Sequence, residues 1–230
     1  AQESRVLEDL SLATTNEDNL SSASTNSLFI VGGGEVNDAN SVISKSTVAL
    51  ISKSSGAPFC SGTIIGPRLV VSAAHCINSM NRGQSTASQV DIAFGRGNTR
   101  ISVESATTHE NYRDDYLQRI VPDPTYKTLP QDKIDDVAIL KLSQPIPENY
   151  NAIAILPDNI KLDPEDELIL AGWGATENIT EAQKLRSTET NLNQVNDKSA
   201  TFSIVSKKGT GSCMGDSGGP AYVVKQDHLF

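Results

Sequence analysis

Short runs of β-branched and aliphatic residues, separated by turn residues, recur along most of this chain and limit its fold more than any other feature. The earlier runs cover residues 47–51, 62–65, 68–72, 89–94, 100–103 and 137–142, and the later ones cover 167–173, 200–205 and 220–224. This spacing is typical of an antiparallel sandwich or barrel. No helical pattern exceeds two or three turns, and short helical segments are expected near 6–12 and 180–185. The sequence therefore predicts an all-β protein.

Three stretches of different composition indicate how the chain is organised. Residues 1 to about 27 are dominated by Ser, Thr, Asn, Asp and Glu. They cannot bury enough apolar surface to offset their ordering entropy, so we expect a mobile tail, either without function or a removable propeptide. Residues 112–135 contain many charges and three prolines, which predicts a long surface loop. The proline-rich stretch 145–157 fits a linker between two halves.

The net charge of the chain argues against two classes of binding partner. The 230 residues carry a formal net charge of −9. This acidic balance argues against nucleic acid and anionic membrane surfaces as partners. No apolar run approaches the ~18 residues of a membrane span.

A glycine-dense stretch, residues 215–220 (GDSGGP), holds one serine, Ser217, beside one acid, Asp216. Glycine lets the backbone take positive φ or approach another group closely. A nucleophilic serine benefits from that freedom, because backbone N–H groups must point at the oxyanion that forms when it attacks a carbonyl. The alternative is a glycine-rich turn containing an ordinary serine.

Two further polar residues lie next to predicted strands. His75 follows a strand and sits among small residues, and Asp136 stands at the mouth of an apolar strand. A carboxylate there is costly to bury unless it holds a donor such as an imidazole N–H. A bridge between Cys60 and Cys76 would fix the loop that carries His75 and, in the chain-entropy model, stabilise by roughly 3 kcal/mol.

Five short sequence motifs follow one another along the chain in a recognisable order. They are 30–33 (IVGG), 72–76 (SAAHC), 136–140 (DVAIL), 172–174 (GWG) and 215–220 (GDSGGP). In this order they resemble the chymotrypsin-like, trypsin-fold serine endopeptidases. The resemblance implies two six-stranded antiparallel Greek-key β-barrels with the active site between them. Residues 30–150 would form the barrel that carries His75 and Asp136, and residues 151–230 the barrel that carries Ser217.

The end of the chain departs from this pattern. Family members continue past the serine through further strands and a helix, on the order of 40 residues by ordinary element lengths. Only thirteen residues follow Ser217 here. We therefore expect an incomplete second barrel, and the usual disulfide partner of Cys213 would lie in the absent segment.

The resemblance also implies a mechanism. Ser217 would be the nucleophile, His75 the general base and acid, and Asp136 the group that orients the imidazole. The backbone N–H groups of Gly215 and Ser217 would form the oxyanion hole. Neither a cofactor nor a metal is expected.

The family further implies a switch. Cleavage between Phe29 and Ile30 would free an ammonium that pairs with Asp216, so residues 1–29 are predicted to be a propeptide and the chain a zymogen. The family often has Arg or Lys before the isoleucine, and Phe29 argues against a trypsin-type activator. The activator would be a protease that accepts large apolar residues, this enzyme itself, or one that selects Ile30.

Gly211 and Ser212 match the base of the family's primary specificity pocket. A small neutral base favours an apolar P1 side chain over a cationic one. Disulfides suggest a secreted or periplasmic location, and the expected partners are protein or peptide substrates, an activating protease and protein inhibitors. The competing prediction is a catalytically idle homologue that acts as a binding or regulatory module.

Overall fold

The computed structural model describes residues 33–78, 87–95, 99–110, 112, 135–164, 166–174, 184–196, 201–205, 211–212 and 214–230. Several expectations fall outside these residues: the propeptide with Phe29 and Ile30, nearly all of the loop 112–135, most of the short helix near 180–185, and Cys213. Within the described residues, β-strands dominate and helices are limited to single turns.

Six strands close into a barrel in the first half of the chain. They pair antiparallel in the order β2-β3-β4-β7-β6-β5, and β5 pairs with β2 to close the barrel. After a two-residue strand β1 (Gly34–Glu35), they are β2 (Thr47–Ser52), β3 (Pro58–Gly66), β4 (Leu69–Ser72), β5 (Val90–Phe94), β6 (Thr99–Thr108) and β7 (Ala138–Leu142). Each coincides with a run predicted from the sequence.

The alternation of side chains along β2 explains how this barrel is held to its neighbour. All six residues of β2 are buried, so this strand has two buried faces. Val48 and Leu50 point into the core of the barrel. Ala49 and Ile51 belong to a second apolar cluster that includes Trp173 from the later half of the chain. Opposite faces of one strand thus serve two cores.

The second half of the chain, together with β1, forms a curled sheet in the order β1-β9-β8-β11-β12, with β10 pairing β9. Its strands are β8 (Glu167–Gly172), β9 (Arg186–Asn196), β10 (Thr201–Val205), β11 (Ala221–Lys225) and β12 (His228–Leu229). A closed six-stranded barrel beside a curled half-barrel confirms the all-β, trypsin-fold architecture predicted from the sequence.

The longest strand of the second sheet, β9, was missed by the sequence interpretation. Its sequence is almost wholly polar, yet Thr188, Thr190 and Leu192 are buried at every second position. Threonine is β-branched and packs well on a half-buried pleated surface. The period of two was present but carried by hydroxyl-bearing residues, which an apolar pattern does not register.

Two single-turn helices flank the strands of the first barrel. Helix α1 (Val42–Ser46) is capped by Ser41, whose side chain accepts a hydrogen bond from the Ser44 N–H. Such a cap satisfies one of the backbone donors left open at a helix start. Helix α2 (Ala74–Asn78) follows β4 directly and contains His75. The end of β4 therefore positions this histidine.

The predicted linker between the halves runs along the first barrel. Ile146 N–H donates to the Pro67 carbonyl, and Ile153 N–H donates to the Ile64 carbonyl, both over 2.9 Å. These bonds anchor the connection to the barrel wall before β8 begins. The domain boundary at residue 150 stays a prediction.

Candidate active site

Four segments meet in the space between the two sheets. They are the early part of β3, the turn from β4 into α2, the residues just before β7, and the turn of residues 214–218 that precedes β11. The residues predicted to be functional that the structure describes lie on these segments, apart from Gly211 and Ser212. The contacts that join the segments determine what the site can do.

His75 and Asp136 are held together by two hydrogen bonds. Pairing of β4 with β7 brings Ser72 opposite Ala138, so the residues that follow one strand and precede the other are neighbours. Asp136 Oδ2 lies 2.7 Å from His75 Nδ1. The other carboxylate oxygen accepts the His75 backbone N–H over 2.8 Å. This bidentate contact fixes both the position and the rotation of the imidazole ring.

The pKa of Asp136 reflects opposing effects. Partial burial acts to raise the pKa of this carboxyl, while the hydrogen bonds from the His75 ring and from the His75 and Ala74 N–H groups lower it. The hydrogen bonds prevail, and the pKa lies below that of an ordinary aspartate. The carboxylate is therefore ionised at neutral pH, and an anion facing Nδ1 favours the tautomer with the proton on that nitrogen.

A second His–Asp pair stands beside the first. His109 Nδ1 lies 3.2 Å from Asp135 Oδ2, and the His109 N–H donates to the Val137 carbonyl over 3.0 Å. The imidazole rings of His75 and His109 are both partly exposed. The bond from the His109 N–H anchors this histidine to the segment leading into β7.

The loop that carries Ser217 depends on glycine. Gly215 and Gly218 adopt φ of +95° and +80°. At Gly218 an added Cβ would lie 2.6 Å from both the Ala73 N atom and the Ser61 carbonyl oxygen, and closer still to Ser72 Oγ. Because two of these neighbours are backbone atoms, they cannot yield to a side chain. The glycine pattern read in the sequence thus has a direct steric cause.

Ser217 and His75 meet at the disulfide between Cys60 and Cys76. The Cys76 sulfur lies 3.6 Å from His75 Nε2 and 3.7 Å from the Ser217 carbonyl oxygen. The Ser217 carbonyl also accepts the Ser61 N–H over 2.9 Å. The ring of the predicted base and the backbone carbonyl of the predicted nucleophile therefore both contact one sulfur atom.

The disulfide between Cys60 and Cys76 limits which side chains near the site could bind a metal ion. Within the described ranges, one group of side chains has metal-ligand spacing, namely Cys60, His75 and Cys76. Thiolates bind metals, and both sulfurs here are already joined to each other. The three residues of this group therefore do not fit a metal ion.

The acid beside the serine is buried and held by backbone. Asp216 is 8 % exposed, and its Oδ1 accepts the Gly174 N–H over 2.9 Å. Gly219 N–H donates to the Asp216 carbonyl oxygen, which closes the turn. The predicted partner of this carboxylate, the amine of Ile30, lies outside the described residues.

Ser61 is a residue of this site that the sequence interpretation did not single out. It follows Cys60 on β3 and is fully buried. Its hydroxyl donates to the Gly215 carbonyl and accepts the Trp173 N–H. The local sequence carries no signal for this role, because both partners are more than 100 residues away.

The two residues predicted for the specificity pocket are only partly enclosed by the described part of the chain. Gly211 is half-buried and Ser212 is exposed. Among the described residues, a Cβ added at Gly211 would meet no heavy atom within 4 Å. The space in front of Gly211 is therefore open on the side formed by the described part of the chain.

Comparison with known proteins assigns the chain to a family. The sequence pattern of the Trypsin family matches residues 30–229. The chain belongs to the trypsin family. It is 32% identical to a trypsin of Simulium vittatum over 210 residues, which is 83% of this chain and 77% of that protein.

Other relatives are matched over a smaller share of their own length. Phenoloxidase-activating factor 3 of Holotrichia diomphalia is 30% identical over 74% of this chain and 53% of its own length. A trypsin of Sarcophaga bullata is 27% identical over 70% of this chain and 63% of its own length. The chain thus spans between about half and three quarters of these relatives. In the part of the chain that the structure describes, no helix is long and apolar enough to span a membrane.

Proposed function

We propose that this trypsin-family chain is the zymogen of a serine endopeptidase. The observation that carries the proposal is the pair of hydrogen bonds from Asp136 to His75, at 2.7 Å to Nδ1 and 2.8 Å to the backbone N–H. An imidazole held in this way presents Nε2 as a base. A serine loop with glycines at positive φ contacts the same disulfide.

The chemistry would be acyl transfer to water in two steps. In the first, Ser217 Oγ attacks the scissile carbonyl carbon, its proton passes to His75 Nε2, and the same proton then goes to the departing amine as the C–N bond breaks. In the second, water loses a proton to His75 and attacks the ester, and the proton returns to Ser217 Oγ as the acid leaves. Asp136 stabilises the imidazolium formed in each step.

The N–H groups of Gly215 and Ser217 would stabilise the oxyanion of each tetrahedral intermediate. Gly215 has a positive φ, a conformation that glycine adopts without strain. Donors fixed before the reaction cost no reorganisation when charge develops, and loss of one such donor typically lowers the rate by about 10²–10³-fold.

Activation would follow cleavage between Phe29 and Ile30. The new amine would enter the site of Asp216, whose carboxylate is buried and accepts a backbone N–H from Gly174. A buried ion pair of this kind serves as a switch more surely than as a source of stability. The intact 230-residue chain would be inactive or weakly active.

The substrate would present an apolar P1 side chain. Gly211 and Ser212 place no carboxylate at the predicted base of the pocket, and the described space in front of Gly211 is open. A neutral pocket offers nothing to pair with a buried substrate cation. The disulfide favours an extracytoplasmic location for this activity.

The test uses a variant in which residues 25–29 are replaced by an enteropeptidase recognition sequence, so that the cut leaves Ile30 as the new N-terminus. Cut and uncut protein are treated with a fluorophosphonate probe, and the labelled residue is located by mass spectrometry. Label on Ser217 only after the cut is the expected result. The matched control, Ser217→Ala, should take up no label before or after cleavage.

The same experiment separates the competing function. An idle homologue would leave Ser217 unlabelled even with a free Ile30, while still binding a protein partner. Cleavage of peptides with Arg or Lys at P1 in preference to Phe, Leu or Ala would overturn the predicted specificity without affecting the assignment of the nucleophile.

A further inference from the structure

We propose that Ser61 is a positioning residue for the nucleophile loop, tying residues 215–217 to the end of β8 through its side-chain hydroxyl. This inference rests on the proposed serine-protease chemistry. Ser61 would not touch substrate. It would act by holding the peptide groups on which the oxyanion hole depends.

Three hydrogen bonds of Ser61 reach across the site. Its Oγ donates to the Gly215 carbonyl over 2.9 Å and accepts the Trp173 N–H over 2.8 Å. Its backbone N–H donates to the Ser217 carbonyl over 2.9 Å. Ser61, from which these bonds extend, is fully buried.

The two carbonyls that Ser61 holds flank the peptide group that matters for catalysis. The N–H of Ser217 belongs to the peptide that joins it to Asp216. The Gly215 carbonyl belongs to the peptide before it, and the Ser217 carbonyl belongs to the peptide after it. Fixing both neighbours limits the rotation of the peptide between them, and therefore the direction of the Ser217 N–H.

This restraint is needed because the loop contains residues with unusual freedom. Gly215 and Gly218 both have positive φ, which glycine reaches without the cost that other residues incur. Glycine also reaches other conformations readily. Contacts from outside the loop must therefore select the one that aims the N–H groups at the oxyanion.

A hydroxyl suits this position because one atom donates and accepts at once. The Gly215 carbonyl needs a donor, and the Trp173 N–H needs an acceptor, from the same point. The next N–H along the chain, that of Gly174, donates to the Asp216 carboxylate. Two adjacent N–H groups at the end of β8 thus anchor the loop, one through Ser61 and one through Asp216.

The key variant is Ser61→Ala in the chain cleaved before Ile30. It removes the hydroxyl and leaves the backbone bond to Ser217 in place. We expect kcat for a peptide substrate to fall about 10- to 100-fold with KM within about twofold, because misplacement of a reacting group by about 1 Å can cost about 10²-fold in rate. Affinity for a peptide boronate, which forms a tetrahedral adduct, should fall by a similar factor.

Ser46→Ala is the matched control. The Ser46 hydroxyl is also buried and also makes two hydrogen bonds, to the Val42 carbonyl and to Tyr222, away from the nucleophile loop. It removes the same chemical group from an equally dry site. Its kcat and its boronate affinity should stay within about twofold of the parent.

Hydrogen exchange gives a readout that does not depend on catalysis. In the full chain, Ser61→Ala should raise the exchange rates of peptides covering 172–174 and 214–219 about tenfold or more, and Ser46→Ala should leave them unchanged. Unchanged exchange in Ser61→Ala would overturn the proposal, as would parental kcat and boronate affinity. If the cleaved parent takes up no fluorophosphonate, the proposed function fails, and the exchange rates still decide whether Ser61 holds the loop.

Discussion

The carboxylate of Asp216 lies directly against the backbone of Gly174, whose N–H donates to Asp216 Oδ1 over 2.9 Å. A Cβ added at Gly174 would lie 2.6 Å from the Asp216 Cγ and 2.7 Å from Oδ2. Both residues are buried. The pair shows why glycine follows Trp173, since any side chain at that position would occupy the space of the carboxylate.

Gly174→Ala is therefore expected to displace Asp216. Overpacking of this kind typically costs about 1–3 kcal/mol in the free energy of unfolding. Fluorophosphonate labelling of the cleaved chain should also fall, because Asp216 precedes Ser217 directly. Urea unfolding and labelling rates check both effects. Gly66→Ala is the control, since its Cβ would meet Leu69 at an ordinary 3.5 Å, and equal behaviour of the two variants would contradict the steric argument.

Asp136→Asn is expected to change how stability depends on pH. The pKa of Asp136 is lowered in the folded protein by its bonds to His75 and Ala74, which outweigh the effect of burial. A group with a lowered folded pKa stabilises above its unfolded pKa, about 3.9 for aspartate, and this contribution is lost as the pH falls through the folded value. The parent should therefore exceed the variant in stability at pH 5–7, and the difference should shrink below about pH 4.

Urea unfolding at a series of pH values from 7 to 3 measures this difference. Asp158→Asn, a substitution of an exposed acid, should follow the parent profile throughout. A gap between parent and Asp136→Asn that stays constant down to pH 3 would show that the two hydrogen bonds do not hold the ionised form.

Tyr222→Phe tests the contact between the two sheets. The Tyr222 OH lies 2.7 Å from Ser46 Oγ and 2.8 Å from Thr47 Oγ1, and Ser46 donates onward to the Val42 carbonyl. Tyr222 therefore donates to Ser46 and accepts from Thr47. Burial raises the pKa of Tyr222 and outweighs its hydrogen bonds with Ser46 and Thr47, which lower it, so the phenol keeps its proton.

Loss of this buried hydroxyl leaves two partners unsatisfied, and we expect a cost of about 1–3 kcal/mol in the free energy of unfolding. Tyr150→Phe provides the comparison. Tyr150 is half-buried and packs edge-on against Phe94 at 5.0 Å, and its substitution should cost about 0.5 kcal/mol or less. A similar cost for both variants would show that the Tyr222 hydroxyl contributes no more to stability than the half-buried Tyr150 hydroxyl.

The disulfide between Cys60 and Cys76 should contribute substantially to stability. Its cysteines are 16 residues apart, and the chain-entropy model gives about 3 kcal/mol for a loop of this size. The double variant Cys60→Ala/Cys76→Ala should lose about this amount in urea unfolding. A reductant should lower the parent to the level of the variant and leave the variant unchanged; a reductant-insensitive parent would refute the prediction.

Most strand positions could be predicted from the sequence, because alternating or continuous apolar runs bounded by turn residues indicate buried strands directly. The run at 137–142 became β7 (Ala138–Leu142), and the run at 89–94 became β5 (Val90–Phe94). The strand β9 (Arg186–Asn196) escaped notice, because threonine takes the buried positions. The β propensity of threonine favours a strand there, whereas its polarity argues against burial. Pairing with β8 in the folded protein decides for the strand.

The residues of the candidate site were named from motifs, and their mutual placement came from the fold. Local sequence shows a histidine after one strand, an acid before another and a serine among glycines. Local sequence by itself determined the all-β class, the family and the glycines around Ser217, because these depend on residue type and short-range spacing. Tertiary structure alone decided that Ser61 joins Gly215 to Trp173 and that Asp216 fits against Gly174, because hydrogen bonds between residues 42 to 154 positions apart leave no trace in a local pattern.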